Sequence, residues 1–317
     1  MVPSQLELPP GSPFTVRTDD GAVISGRAVG SGQRLVVLAH GWTNDSRVWS
    51  RVVQHLVGGG HRVVVYDQRG HGASTIGASG LTLSALAGDL AAVLAHVEAG
   101  EAVVAGHSMG GMALQTLAAE DPGVLRARAR ALVLVSTACD GLARYGTPFD
   151  RLIAAGLCRL VGSRSIGLVT ANGFVGPLVV RPVVGVEPDS GDLRTVGAMF
   201  AATPARVRRS LLAAMQAMDL GGSLGSLDMP VLVVSGSDDV LTPPARSCRI
   251  TQVVPQAHQV LLPGTGHMLP LEEPDVLASL LAALGRGLAP AEAGRLAASP
   301  VPGQHSYAAD TSLQGAG

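Results

Sequence analysis

Ala102-Val103-Val104-Ala105-Gly106-His107-Ser108-Met109-Gly110-Gly111-Met112-Ala113-Leu114 is the stretch whose reading decides the fold. Its first four residues form a short apolar run of the buried-strand type, and Gly111 to Ala119 reads as a good helix. A Gly-x-Ser-x-Gly set between a strand and a helix describes a nucleophile elbow, a tight turn that lifts a serine hydroxyl above the carboxyl end of a sheet. The glycines serve the backbone: the turn is strained, and the helix must pack close to its strand.

Context matters, because with 41 Gly in the chain about 0.4 matches to the bare pattern arise by chance, and a short motif counts only in its setting. A second match occurs at Gly221-Gly222-Ser223-Leu224-Gly225. It follows a helical stretch, Leu211 to Leu220, has no strand before it, and runs on to Pro230. It reads as a flexible connection. Only Ser108 has both the strand and the helix.

Alternating strand and helix patterns fill the first 137 residues. Phe14 to Thr18 and Val23 to Val29 flank the turn Asp19-Asp20-Gly21 and read as a hairpin. Leu35-Val36-Val37-Leu38-Ala39 is a continuous apolar run, as in a strand buried on both faces. Val48, Val52 and Leu56 recur at helical spacing, Val63 to Tyr66 is the next strand, and Leu83, Leu86, Leu90, Leu94 and Val97 mark a longer helix. Strand 102–105, the elbow, helix 109–119 and strand 132–135 follow. The repetition implies parallel strands with helices on both faces.

From Asp140 to about Leu227 no strand run is visible, and helical segments are punctuated by Gly, Pro and Arg. Strands return at 231–234 and 259–262, and 275–286 is a final apolar helix. The expected architecture is an α/β core of residues 14–139 and 228–287 with a helical cap inserted at 140–227. The termini, 1–13 and 288–317, are expected to lack order.

Composition narrows the function. The 317 residues are 47% hydrophobic and 15% charged, with a formal net charge of −1, so there is a large core and no basic field to attract nucleic acid. Cys139, Cys158 and Cys248 show neither paired nor metal-like spacing. With no signal-peptide pattern at Met1 to Phe14 and no apolar stretch of membrane-spanning length, the expectation is a cytoplasmic protein without a transmembrane segment. No phosphate loop, dinucleotide fingerprint or metal cluster stands out, so neither cofactor nor metal is expected.

A serine hydroxyl is a poor nucleophile at neutral pH and needs a base, and the base needs an orienting acid. In a parallel sheet the carboxyl ends of the strands share one edge, so residues just after different strands can meet there. Of nine histidines, His267 in Pro263-Gly264-Thr265-Gly266-His267 follows the last strand. For the acid, Asp238 and Asp239 both follow strand 231–234, and Asp140 follows strand 132–135. A tetrahedral intermediate would need two backbone N–H donors. Met109, next to the serine, and Trp42, in the loop His40-Gly41-Trp42-Thr43 after strand 35–39, are the expected pair.

With these motifs in place the chain resembles the α/β-hydrolase superfamily from about residue 14 to residue 286. The resemblance rests on His40-Gly41, Asp67-Gln68-Arg69-Gly70-His71-Gly72-Ala73-Ser74, Gly106 to Gly111, Gly236-x-x-Asp239-x-x-x-Pro243, and Gly266-His267 followed by Glu272-x-Pro274. It implies the order nucleophile, acid, histidine, and by its spacing to Pro243 it selects Asp239 over Asp238. Asp67 and Arg69 then take scaffold roles. The nearest likeness is to cap-bearing esterases, lactonases and cofactor-free perhydrolases.

The implied function is a serine hydrolase acting on an ester, thioester or lactone of a small apolar acyl substrate through an acyl-enzyme. His40, Leu157, Phe174 and Met199 are the expected substrate contacts. Competing readings are a cofactor-free tailoring enzyme (C–C hydrolysis, cyclisation or perhydrolysis) and a low-turnover ligand receptor on the same scaffold.

Overall fold

The computed structural model describes residues 6–141, 163–172, 178, 181 and 190–298. Eight strands form one sheet: β1 (Ser12–Arg17), β2 (Val23–Val29), β3 (Arg34–Ala39), β4 (His61–Tyr66), β5 (Ala102–His107), β6 (Ala129–Val135), β7 (Val231–Gly236) and β8 (Ala257–Leu262). Their spatial order is β1-β2-β4-β3-β5-β6-β7-β8, antiparallel at β1/β2 and β2/β4 and parallel thereafter. This is the α/β-hydrolase architecture, and every strand expected from the sequence is present.

The helices are α1 (Ser50–Gly58), α2 (Leu83–His96), α3 (Met109–Glu120), α4 (Pro122–Arg128), α5 (Arg164–Ala171), α6 (Ser190–Ala202), α7 (Ala205–Ala217), α8 (Pro244–Val253), α9 (Leu269–Glu272), α10 (Pro274–Gly285) and α11 (Pro290–Ala298). Local chemistry sets their starts. Thr82 accepts the Ala85 N–H at the head of α2, and Asp121 accepts the Val124 N–H at the head of α4, where Pro122 has no N–H to leave unpaired.

Burial explains the continuous apolar strands. Val36, Leu38, Val63, Val65, Val103, Ala105 and Val133 face one layer, built mainly from α1 and α10. Val37, Ala39, Val64, Tyr66, Val104, Leu132 and Leu134 face the other, built from α2, α3 and α8. Alternate side chains point to opposite faces, so both sets must be apolar.

Between β6 and β7 the described residues hold α5, α6, α7 and a short turn at Leu224–Ser226. Leu157, Phe174 and Cys158 lie outside the described residues. The second Gly-x-Ser-x-Gly leads into that turn, with Ser223 exposed and in ordinary helical backbone at φ −98° and ψ −18°.

Both termini depart from expectation. Leu6 is buried in the same core layer as α10, and β1 begins at Ser12. Residues Pro290–Ala298 form a helix, because Ala293 is buried in the core and Gly294 lies against His258 and Val260 of β8. The Ala-rich sequence reads as a tail, but it supplies a small-residue face that fits closely on the last strand.

Arg69 anchors the loop after β4. Buried at 2% exposure, it donates to both carboxylate oxygens of Asp89 on α2 (2.6 Å each) and to Asp20 in the hairpin turn (2.9 Å). Asp67 in the same loop accepts the N–H groups of Ser46 and Ala73 (2.9 Å each). Both residues are structural, as the resemblance implied. Removing one partner of a buried ion pair strands the other charge, so Asp89→Ala should lower the unfolding free energy by about 3–5 kcal/mol. Urea unfolding monitored by circular dichroism would measure it, and a loss under 1 kcal/mol would show that the network carries little.

Candidate active site

Ser108 sits at the end of β5 with φ 52° and ψ −118°, a backbone conformation that costs a non-glycine residue about 1–3 kcal/mol and persists only where the surroundings enforce it. They do so here. Its N–H donates to the Val135 carbonyl (2.8 Å), and its own carbonyl accepts from the Thr137 hydroxyl (2.8 Å) and the Met112 N–H (3.0 Å). A Cβ on Gly106 would overlap the Gly110–Gly111 backbone, and one on Gly110 would fall 2.7 Å from the His40 carbonyl oxygen. The elbow is therefore a backbone-on-backbone contact between β5, α3 and the loop after β3.

The structure brings Asp239 and His267 together. Asp239 Oδ2 lies 2.8 Å from His267 Nδ1, and the four acceptor positions of the carboxylate are filled by Leu241 N–H (2.9 Å), Thr242 N–H (2.8 Å), Thr242 Oγ1 (2.7 Å) and that ring. Burial works to raise the Asp239 carboxyl, but the charge of His267 and the hydrogen bonds from His267 and Thr242 hold it below the ordinary carboxylate range. An ionised Asp239 accepts, so Nδ1 carries the proton and Nε2 of His267 is left as a base. Asp238 bonds instead to Ser237 (2.7 Å), and Asp140 pairs with Arg246 (3.0 Å).

Two residues that sequence reasoning left without a role hold His267 in place. Glu272 accepts the N–H groups of Gly266 (2.6 Å) and Met268 (2.8 Å), one on each side of it. Its spacing before Pro274 was the visible signal. His107, immediately before Ser108, donates from Nε2 to the His267 carbonyl (2.8 Å), and the two rings stand 5.0 Å apart between centroids. Thus the nucleophile strand and the histidine loop touch directly.

The loop after β3 carries a second strained residue, Thr43 at φ 62°. Its N–H donates to His71 Nε2 (3.1 Å), and its hydroxyl donates to the Trp42 carbonyl (2.6 Å). Gly41 is confined: a Cβ there would stand 2.8 Å from His107 Nδ1. Among the described residues the backbone N–H groups of Trp42 and Met109 make no hydrogen bond. Met109 is the first residue of α3, where N–H groups have no partner within the helix.

Of the expected substrate contacts, His40 is fully buried with both ring nitrogens engaged: Nδ1 donates to the Gly41 carbonyl (2.7 Å) and Nε2 accepts the Gln68 N–H (2.9 Å). It braces the loop and has no nitrogen left for a ligand. Met199 lines a cavity of about 490 Å³ between the Gly70–Ile76 loop and the junction of α6 and α7, with Asn44 and Asp45 on its wall. Neither Ser108 nor His267 lines that cavity.

With this geometry in place, comparison with known proteins is direct. A family model described as the alpha/beta hydrolase fold matches residues 34–274. The chain belongs to the α/β-hydrolase family and is a hydrolase of that fold. It is 30% identical over 263 residues to a non-heme haloperoxidase of Rhodococcus erythropolis, covering 80% of this chain and 92% of the relative. It is 30% identical over 262 residues to a pimeloyl-acyl-carrier-protein methyl ester esterase of Nitrosomonas europaea, covering 80% and 96%. In structure it is similar to an esterase from Exiguobacterium antarcticum, with a TM-score of 0.76, 19% identity and coverage of 86% and 99%, which speaks to fold. No helix among the described residues is long and apolar enough to cross a membrane.

Three histidines around the site are buried and neutral. Burial pushes His71 and His107 down to about 3, helped by the neighbouring rings of His40 and His267 respectively, and burial lowers His40 as well. An unfolded histidine takes a proton below about 6.5. Unfolding therefore takes up protons between pH 6.5 and 3, so stability is fully present above that window and declines as pH falls through it. Urea titrations at closely spaced pH values around 5 should give a linkage slope of at least two protons, from His71 and His107 with a further share from His40, reduced by about one in His107→Gln. A flat profile over this range would show that these rings charge in the folded state.

Proposed function

We propose that the protein cleaves an ester, thioester or lactone of a small apolar acyl substrate through an acyl-enzyme on Ser108. The observation that carries this reading is a strained, elbow-held serine whose neighbour His107 bonds the carbonyl of His267, the histidine whose Nδ1 is fixed by an ionised, fully hydrogen-bonded Asp239. His267 Nε2 takes the Ser108 proton as the hydroxyl attacks the acyl carbonyl, and returns it to the leaving oxygen or sulfur. Asp239 holds the ring's tautomer and stabilises the imidazolium. The N–H groups of Trp42 and Met109 receive the developing oxyanion. Water, activated by the same histidine, then releases the acid.

The chemistry predicts a sharp hierarchy. Ser108→Ala should remove nearly all turnover and all labelling by a fluorophosphonate, leaving roughly 10³–10⁴ over water from binding and the oxyanion donors. Asp239→Asn should lower kcat by about 10⁴-fold, with Asp238→Asn and Asp140→Asn far milder. An adduct on Ser223, or equal losses at the three aspartates, would overturn the assignment.

Residues 140–227 are proposed as a cap over Ser108 that sets acyl preference, supported by the α5 to α7 helices between β6 and β7 and by the bond from Trp42, in the loop after β3, to the Arg208 carbonyl of α7. One methylene in an apolar pocket is worth about 1–3 kcal/mol, so preference should change gradually with chain length. The kcat/KM series for acyl esters of graded length should shift in bulky variants at Leu157, Phe174 or Met199. An unchanged profile in all three would remove the cap from substrate selection.

The similarity to a protein named as a non-heme haloperoxidase supports a second reading of the same acyl-enzyme. Hydrogen peroxide in place of water would release a peracid and restore Ser108. Peracid formation from a short acyl ester and peroxide, absent in Ser108→Ala, is its measurement.

A further inference from the structure

We propose that the Trp42 indole is a positioning group, transmitting the placement of the α5–α7 helices to the backbone N–H that receives the oxyanion. The inference rests on the reading of Ser108 as nucleophile and Trp42 N–H as oxyanion donor.

The loop after β3 is held from two sides. From the core, His71 accepts the Thr43 N–H (3.1 Å). From the inserted helices, the Arg208 carbonyl on α7 accepts the indole Nε1–H of Trp42 (3.2 Å), and Thr203 Oγ1, after α6, shares its one proton between the Met199 carbonyl (3.0 Å) and, more weakly, the Thr43 carbonyl (3.4 Å). The indole also meets Phe200 of α6 edge to face, with centroids 6.0 Å apart.

The far end of this tether is itself fixed. The Arg208 side chain is 2% exposed, its guanidinium lies 4.8 Å from the Phe200 ring centroid, and it donates to the carbonyls of Phe200, Thr203 and Ser163. Ser163 caps α5 by accepting the Ile166 N–H (3.2 Å). One buried guanidinium thus joins α5, α6 and α7, and the same residue's carbonyl takes the Trp42 indole. The helices and the loop of the oxyanion donor meet at the Trp42 indole, which bonds the Arg208 carbonyl and packs on Phe200.

Strain makes the connection consequential. Thr43 at φ 62° is a β-branched residue in a conformation that relaxes when its restraints are removed. Rotation at Thr43 and Trp42 turns the peptide planes beside the donor, and the donor must point at the oxyanion and not at the ground-state carbonyl. Loss of a tether should therefore weaken the transition state while leaving ground-state binding alone.

Trp42→Phe keeps an aromatic ring and the backbone N–H and deletes the indole donor with the five-membered ring that carries it. Removing an oxyanion donor outright costs about 10²–10³ in kcat, so misdirecting one should cost about tenfold. The expected result is a fall in kcat of that size with KM within about twofold. Affinity for a trifluoromethyl ketone, which forms a tetrahedral adduct on the serine, should fall by the same factor. Affinity for the matching methyl ketone should hold, and fluorophosphonate labelling of Ser108 should slow in parallel. Thr203→Val removes the weaker tether, together with the hydroxyl's bond to the Met199 carbonyl, without touching the indole; it should shift trifluoromethyl ketone affinity in the same direction by a smaller factor, and it serves as the test should Trp42→Phe fail to fold.

Unchanged kcat and ketone affinities in both variants, or a parallel loss for the two ketones, would overturn the inference. Ser108→Ala separates this from the parent reading. If it turns over at near the wild-type rate, the acyl-enzyme reading itself fails; if it is inactive while Trp42→Phe is fully active, only the tether fails.

Discussion

A serine held at φ 52° is the constraint on which the rest of the site depends. The conformation survives because Val135 of β6 takes its N–H, Thr137 and Met112 satisfy its carbonyl, and Gly110 lies under the Ala39–His40 backbone. Three strands and one helix are thereby registered to a single residue. The magnitudes are lopsided. Four non-glycine residues among those described have positive φ, Thr43, Glu98, Ser108 and Ser136, each at a cost of about 1–3 kcal/mol. Each fully buried Val or Leu of the central strands contributes about 1.5–3 kcal/mol, and β3 to β7 supply many such residues on both faces. The sheet can hold the distortion.

Around that point the polar design is one of exclusion. His40, His71 and His107 are buried, neutral and used as shape-fixing hydrogen-bond pieces, each set by backbone groups. Asp239, with every acceptor position filled, stays ionised. Neutral rings in a low-dielectric region leave the Asp239–His267 couple as the electrostatic event of the site, where each charge interaction is strengthened.

The central sheet was readable because burial on both faces forces uninterrupted apolar runs, and Val36 to Ala39 or Val231 to Val234 have no other economical explanation. Asp239 was separable from Asp238 only through family spacing, since two adjacent carboxylates offer the same chemistry until one is seen against a ring. Helices α4, α8 and α11 were missed, although each begins with proline at its first position, a start signal that outweighs their sparse apolar content. What no local pattern could reveal was partnership across distance. Trp42 and Arg208 are 166 positions apart, and His107 and His267 160 apart. The roles of those side chains exist only in the folded chain. The same holds for His40, whose position in a His-Gly loop suggested a ligand contact until its second nitrogen was found on Gln68.

The confinement of Gly41 makes sequence change at this site dependent on order. A methyl group there would press within 2.8 Å of His107 Nδ1, and His107 is the ring that holds the His267 carbonyl. An alanine arriving first at position 41 would therefore be felt as a defect in the histidine loop, far from the loop it alters. A smaller residue arriving first at position 107 would open the space and make the same alanine tolerable, though the grip on His267 would already be gone. Changes at positions 41 and 107 are therefore expected to be coupled.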